Sequence, residues 1–169
     1  ISAKKTNNNI SVALIEALPK IGKKILATGN GRCNLTNLTA NTKSYNTKAV
    51  SAVMENCPPN KIIEFFSSIG LECVTDSESR VYPMSNTATG VLDCLRFEAD
   101  RLGIDVITDT KVTSVRKNNR TFVINDSIEC RKVIVATGGK AAPSQGSDGS
   151  GYPIIKSLGH SVTQLYPGL

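Results

Sequence analysis

Residues Lys23–Asn37 read KKILATGNGRCNLTN, and the fold turns on how that stretch is understood. Lys23 and Lys24 lead into Ile25, Leu26 and Ala27, a short apolar strand by pattern. It empties into Thr28, Gly29, Asn30, Gly31, Arg32, Cys33, Asn34, Leu35, Thr36 and Asn37, a run almost without apolar side chains. Such a run cannot bury itself. Gly29 and Gly31 can take positive φ and admit a ligand close to the main chain, while Thr28, Asn30, Asn34, Thr36 and Asn37 supply short donors and acceptors. Arg32 adds a planar fork of donors that suits phosphate or a ring carbonyl. The same run also reads as a surface loop of turn formers.

A second stretch favours the ligand-binding reading. Lys132–Thr137 (KVIVAT) predicts a strongly buried strand ending at Ala136 and Thr137, followed by Gly138, Gly139 and a polar, glycine-rich segment as far as Gly151. Both glycine-rich runs are then expected at the carboxyl ends of buried strands, where open α/β sheets bind ligands. Ile10–Ile15 (ISVALI) predicts a third strand, apolar enough to be covered on both faces. It ends in Glu16. A carboxylate there can accept both ribose hydroxyls of a dinucleotide and repel a 2′-phosphate. An acidic residue closing a strand also reads as a solvated edge residue. The dinucleotide reading requires a G-x-G-x-x-G turn about 20 residues before the acid, which falls before Ile1. ISAKKTNNN reads as the last turn of the helix after such a turn, so the chain is expected to be a piece of a longer polypeptide.

The remaining pattern is α/β. Helices are expected at Lys48–Asn56, at Lys61–Ile69 behind Pro59, from Asn86 or Thr87 to about Leu102, and at Tyr152–Leu158. Strands are expected at Leu71–Thr75 and Arg80–Tyr82 around the turn Asp76–Ser79, and at Ile104–Ile107. A three-stranded meander over about 111–131 comprises Val112–Arg116, Thr121–Ile124 and Ser127–Cys130. Ser161 onward reads as strand-like, ending at Pro167 and Gly168.

Composition excludes several classes. With 169 residues, 40% of them hydrophobic and 5% aromatic, the core must be aliphatic. The five cysteines, Cys33, Cys57, Cys73, Cys94 and Cys130, are widely spaced and form no C-x-x-C pair, which fits reduced thiols in the cytoplasm. His160 is the single histidine, so neither a zinc cluster nor a Ser-His-Asp triad can be assembled without it. A formal charge of +6 permits polyanion binding, yet the basic residues are scattered and stacking aromatics are few. No nucleic-acid partner is expected. Nor is a membrane partner, because no apolar run approaches the ~20 residues needed to span a bilayer.

KKILATGNGRCNLTN, RVYPMS followed by a helix, KVIVATGGKAAPSQGSDGSGY and SLGHSVTQLYPGL together resemble successive signatures of the BaiN-like NAD(P)/FAD-dependent oxidoreductases, and the resemblance covers nearly the whole chain in order. It implies a partial Rossmann-like, glutathione-reductase-type FAD-binding domain over residues 1–169, with FAD as cofactor and NAD(P)H as a candidate electron donor. By that resemblance Glu16 holds the adenosine ribose. Lys23, Lys24, Thr28, Gly29, Asn30, Gly31, Arg32, Cys33 and Asn34 wrap the pyrophosphate and flavin side. Val112 lies beside the adenine, and Ala136, Thr137, Gly138 and Gly139 support the dinucleotide. Family members often carry Ser-Tyr-Pro after the GGK, where this chain has Ala141, Ala142 and Pro143. Members also have an inserted substrate domain and a return segment, so these residues supply about half of a FAD site and are expected to retain flavin weakly.

In this reading the protein orients the flavin and the isoalloxazine passes hydride, with no acid or base required from the chain. Cys33 is expected to pack rather than to react. Tyr82 and His160 are candidate proton donors with structural alternatives, His160 as a helix cap. Two other functions share the fold features: a noncatalytic nucleotide-binding or interaction module, and a NAD-dependent dehydrogenase using the Glu16 site. Substrate and oligomeric state are left open.

Overall fold

The computed structural model describes residues 1–45, 47 and 49–166. In chain order its elements are α1 (Ser2–Thr6), β1 (Ala13–Ile15), α2 (Lys23–Ala27), β2 (Thr36–Asn37), α3 (Val50–Asn56), α4 (Pro59–Ser67), β3 (Cys73–Thr75) and β4 (Arg80–Pro83). There follow α5 (Ala88–Arg101), β5 (Asp105–Ile107), β6 (Val115–Asn118), β7 (Thr121–Ile124), β8 (Ile128–Cys130) and α6 (Gly151–Ser157). Packing divides the chain into two compact units, Ile1–Val12 with Lys24–Asp105, and Ala13–Lys23 with Val106–Leu169. The expected helix start at Lys48 and the expected end at Pro167 and Gly168 lie outside the described residues.

In the first unit β2, β4 and β3 form an antiparallel sheet in that order. Asp76 shapes the turn between β3 and β4: one carboxylate oxygen accepts from the Glu78 and Arg80 N–H groups at 2.9 and 3.0 Å, the other from Arg80 Nε at 2.8 Å. Partial burial pushes its carboxyl up, and these bonds with the Arg80 charge more than offset that, so it sits below its usual range. Pro59 opens α4, where a missing N–H costs nothing. Gly70, at φ 85°, turns the chain out of it. Thr87 caps α5 by accepting from Gly90 N–H. The inner face of α5 places Ala88 and Val91 against Cys33 and Leu71, with Ile25, Leu35, Phe66, Cys94 and Leu95 around them. Glu98 is buried on the same helix and held by Arg101, Nε at 2.6 Å and Nη2 at 2.9 Å, with Lys5 of α1 at 3.8 Å.

In the second unit β1 runs beside β5, Glu16 N–H donating to Ile107 C=O at 2.8 Å. The meander β6–β7–β8 is antiparallel, with Val115 opposite Ile124 and Phe122 opposite Cys130. Such a meander needs support to be stable. It finds it by packing Val115 and Ile124 on Ile154 of α6, with Ile15, Val112, Phe122, Ile128, Val133 and Leu158 completing the core.

Five expectations are corrected. Ile25–Ala27 is helical, because Lys, Leu and Ala favour helix and no strand among the described residues pairs with this segment. The Thr28–Asn34 loop therefore leaves a helix and not a strand. Lys132–Thr137 takes no regular structure, and Ile134 is 85% exposed; a strand is made by its neighbour, and no described residue offers this one a ladder. Of Ile10–Ile15 only Ala13–Ile15 is strand, and Leu14 is exposed rather than covered on both faces. Val115, not Val112, opens the first meander strand, since the Asn125 side chain takes the place of a ladder over Lys111–Ser114. Thr36–Asn37 pairs with Arg80 and Val81 as a strand, where a polar loop was expected.

Candidate functional site

In the first unit, Thr28–Gly31 form a 3-10 turn in which Gly29 and Asn30 are both left-handed, at φ 54°. Gly31 and Cys33 also have positive φ, 81° and 61°. The turn is closed from within, Arg32 N–H donating to Gly29 C=O at 3.1 Å, Cys33 N–H to Thr28 C=O at 3.0 Å and Thr28 Oγ1 to Ile25 C=O at 2.7 Å. Gly29 is required by space as well as by φ, since a Cβ there would stand 2.7 Å from the Asn34 nitrogen. Arg32 lies over the Tyr82 ring, its guanidinium carbon 4.6 Å from the centroid. Its Nε donates to Gly29 C=O at 3.4 Å, and its two terminal nitrogens donate to no described residue. The Cys33 thiol belongs to the core, so it can offer a ligand only main chain. Asn34, Asn30 and Arg32 are exposed.

In the second unit, Glu16 is half-buried at the end of β1. Its Oε1 accepts from Leu18 N–H at 3.0 Å, which orients the carboxylate, and its other oxygen accepts from no described residue. The chain beyond β5 is tied to the same corner, Thr110 N–H donating to Glu16 C=O at 3.0 Å and Asp109 N–H to Leu18 C=O at 3.2 Å. Val112 follows two residues later. Its side chain packs in the core while its N–H and C=O bond to no described residue. Lys23 reaches Ser144 C=O at 2.9 Å and thereby ties the end of its segment to the long loop before α6.

Ala136, Thr137 and Gly138 are exposed and Gly139 is half-buried. Gly138 has φ 75°, and a Cβ on it would meet Ser147 Oγ at 2.7 Å. Thr137 turns toward α6, where a Cβ on Gly151 would fall 2.1 Å from its Oγ1. Asp148 organises the turn into α6 through the Ser150 N–H at 2.9 Å, with Lys111 Nζ 3.6 Å away. Hydrogen bonds from Ser150, then the Lys111 charge, hold the Asp148 carboxyl below its usual range against the effect of partial burial. His160 does not cap α6 with its ring; its N–H donates to Ile155 C=O at 3.1 Å.

Sequence reasoning missed Asn125, Ser147 and Gly151. Asn125 was legible only as a turn residue, and Ser147 and Gly151 as members of a glycine-rich run, because what they touch is decided by packing. Among the described residues no group of His, Cys, Asp and Glu could hold a metal ion. No helix of those residues is long and apolar enough to cross a membrane.

The donor set suits the adenosine half of FAD. Glu16 presents an oriented carboxylate, Val112 presents one main-chain donor and one acceptor that no described residue uses, and Gly138 presents main chain without a side chain of its own, while Gly139 C=O is taken by Gly149 N–H at 3.0 Å. The chain is α/β, with a β1–β5 sheet and two antiparallel sheets, and is a Rossmann-type nucleotide-binding domain of the flavoprotein kind. The chain belongs to the HI0933-like protein Rossmann domain family, whose profile matches residues 1–168. It is 37% identical over 176 aligned positions to the 3-dehydro-bile acid delta(4,6)-reductase of Clostridium scindens, an alignment covering 100% of this chain and 42% of that protein. It is 27% identical to the ribosomal RNA dihydrouridine synthase of Escherichia coli, over 94% of this chain and 41% of the relative. It is also 27% identical to the enzyme of the same name from Haemophilus influenzae, over 90% and 40%. The chain thus spans about two fifths of the length of these relatives.

Proposed function

We propose that this chain is the FAD-binding portion of an oxidoreductase that reduces a carbon–carbon double bond conjugated to a carbonyl in a small organic substrate, with NAD(P)H as electron donor. The observation that carries the cofactor is Glu16, a carboxylate fixed through one oxygen at the carboxyl end of a parallel strand and open through the other. The bond type is supported by what the relatives' names have in common. A delta(4,6)-reductase of a 3-dehydro bile acid and a dihydrouridine synthase both reduce an alkene conjugated to a carbonyl.

Bound FAD would supply the hydride carrier. The chain's own part is binding and orientation. Glu16 accepts from the ribose hydroxyls, and its charge rejects a 2′-phosphate. The Arg32 guanidinium, lying over the Tyr82 ring, offers to an anionic or carbonyl oxygen two nitrogens that no described residue uses. Asn30, Gly31 and Asn34 line that loop with short donors and bare main chain. Free thiols at Cys33, Cys57, Cys73, Cys94 and Cys130 suit a reducing compartment, and we place the protein in the cytoplasm.

The test is made on the natural full-length polypeptide. Its cofactor is released by denaturation and identified by fluorescence and mass, and bleaching of bound flavin by NADH or NADPH is followed without oxygen. Reoxidation is then tried with a conjugated enone and with a uridine-containing RNA. Released FAD and reoxidation by the enone support the proposal. Release of NAD in place of flavin refutes it, and reoxidation by the RNA alone replaces the small substrate with a nucleic acid.

A further inference from the structure

Asn125 makes four hydrogen bonds with one side chain, all to the segment that follows β5. Its Oδ1 accepts from Thr113 N–H at 2.8 Å, Ser114 N–H at 3.3 Å and Thr113 Oγ1 at 3.3 Å, and its Nδ2 donates to Lys111 C=O at 2.8 Å. Its own N–H donates to Ser114 C=O at 3.0 Å. Lys111–Ser114 is therefore fastened on both sides of Val112, the one residue of the four whose main-chain donor and acceptor are both unused by the described residues. We propose that Asn125 is a positioning residue that presents the Val112 main chain to the adenine of the cofactor and so sets a preference for adenine over other purines. This rests on the FAD reading above.

The chemistry follows from the order of the two groups. Thr110 is bonded to Glu16, so Val112 stands two residues from the strand end that holds the ribose, and a ribose fixed there fixes the direction in which the base extends. Adenine offers an N6–H donor beside the N1 acceptor, which a C=O and an N–H complement. Hypoxanthine and guanine offer an oxygen acceptor beside an N–H donor, so the same two groups meet their own kind. Discrimination of that sort requires a rigid backbone, because a free segment would turn its peptide to suit either base. Asn suits the task in two respects. It tolerates the left-handed backbone found there, φ 49°, and it carries both the acceptor that Thr113 and Ser114 need and the donor that Lys111 needs. Asp would keep the acceptor and set an oxygen against the Lys111 carbonyl.

The experiment is an amide NMR titration of the natural full-length polypeptide, freed of flavin and labelled at valine nitrogen, with ADP and, separately, with IDP, reading the Val112 amide, for wild type, Asn125→Gly and Asn125→Asp. Glycine takes φ 49° without strain, so it removes the side chain without straining the backbone, and the other amides report that the fold persists. In wild type ADP shifts the Val112 amide and binds about tenfold more tightly than IDP. Asn125→Gly should bind ADP about tenfold more weakly and lose the preference over IDP, with Asn125→Asp between the two. A wild-type ADP preference that Asn125→Gly keeps in full overturns the role of Asn125 and leaves the adenosine site standing. A wild-type Val112 amide that does not respond to ADP overturns the adenosine site, and this proposal with it.

Discussion

Replacing Gly29 with alanine tests the loop that organises the first unit. At φ 54° a non-glycine residue pays about 1–2 kcal/mol for the left-handed backbone. A Cβ would also stand 2.7 Å from the Asn34 nitrogen, which is main chain and cannot swing aside as a side-chain tip would. Crowding of that kind costs about 1–3 kcal/mol. The two effects give about 2–5 kcal/mol for Gly29→Ala. Gly31 is the control, because its φ of 81° carries the backbone penalty while the nearest atom to a Cβ, Leu26 O, is 4.0 Å away. Gly31→Ala should cost only about 1–2 kcal/mol. The difference between the variants isolates the close approach at Asn34. Urea unfolding followed by circular dichroism, with unchanged slopes, reads it directly. Equal losses for the two variants would falsify the packing argument.

Three further outcomes are expected. Glu16→Gln keeps the acceptor for Leu18 N–H and removes the charge, so ADP affinity should fall about tenfold with the fold intact; an unchanged NMR titration removes Glu16 from the site. The Arg101 hydrogen bond, opposed by burial and aided by the Arg101 and Lys5 charges, holds the Glu98 carboxyl below its usual 4.5. A depressed folded value contributes stability that is present above about pH 4.5 and lost as pH falls through the lowered value. Glu98→Gln should therefore be least stable relative to wild type at neutral pH and converge with it in acid, a trend that thermal melts across pH would reveal or contradict. Alkylation read by peptide mass should proceed fastest at exposed Cys57, slower at Cys73, whose thiol is pushed up by burial and by Glu72, and slowest at buried Cys33. Cys33 reacting as fast as Cys57 would place its thiol outside the core.

What the order of residues could determine here is whatever depends on neighbours in the chain. The apolar spacing of Val91, Leu92, Leu95 and Ala99 with a Thr87 cap specifies α5, and Thr121–Ile124 alternates as a strand must. Asp76 and Gly70 mark their turns for equally local reasons, a side chain that bonds its own backbone and a backbone with no Cβ. The family was legible as a resemblance carried by KKILATGNGRCNLTN, RVYPMS, KVIVATGGKAAPSQGSDGSGY and SLGHSVTQLYPGL in that order, whereas the glycine-rich runs by themselves also read as surface turns.

Only the tertiary structure decided the rest. Ile25–Ala27 and Val133–Val135 are both short apolar runs, and pattern alone cannot separate a helix turn or a segment without regular structure from a strand, since a strand is defined by a partner distant in sequence. That the Cys33 thiol packs while Arg32 beside it lies on Tyr82 depends on a left-handed residue at Cys33, which the letters do not announce. Asn125 belongs to the same class. A turn residue thirteen positions from Val112 becomes its support because β6 and β7 fold back on each other, and hydrogen bonds across that distance are written in three dimensions only.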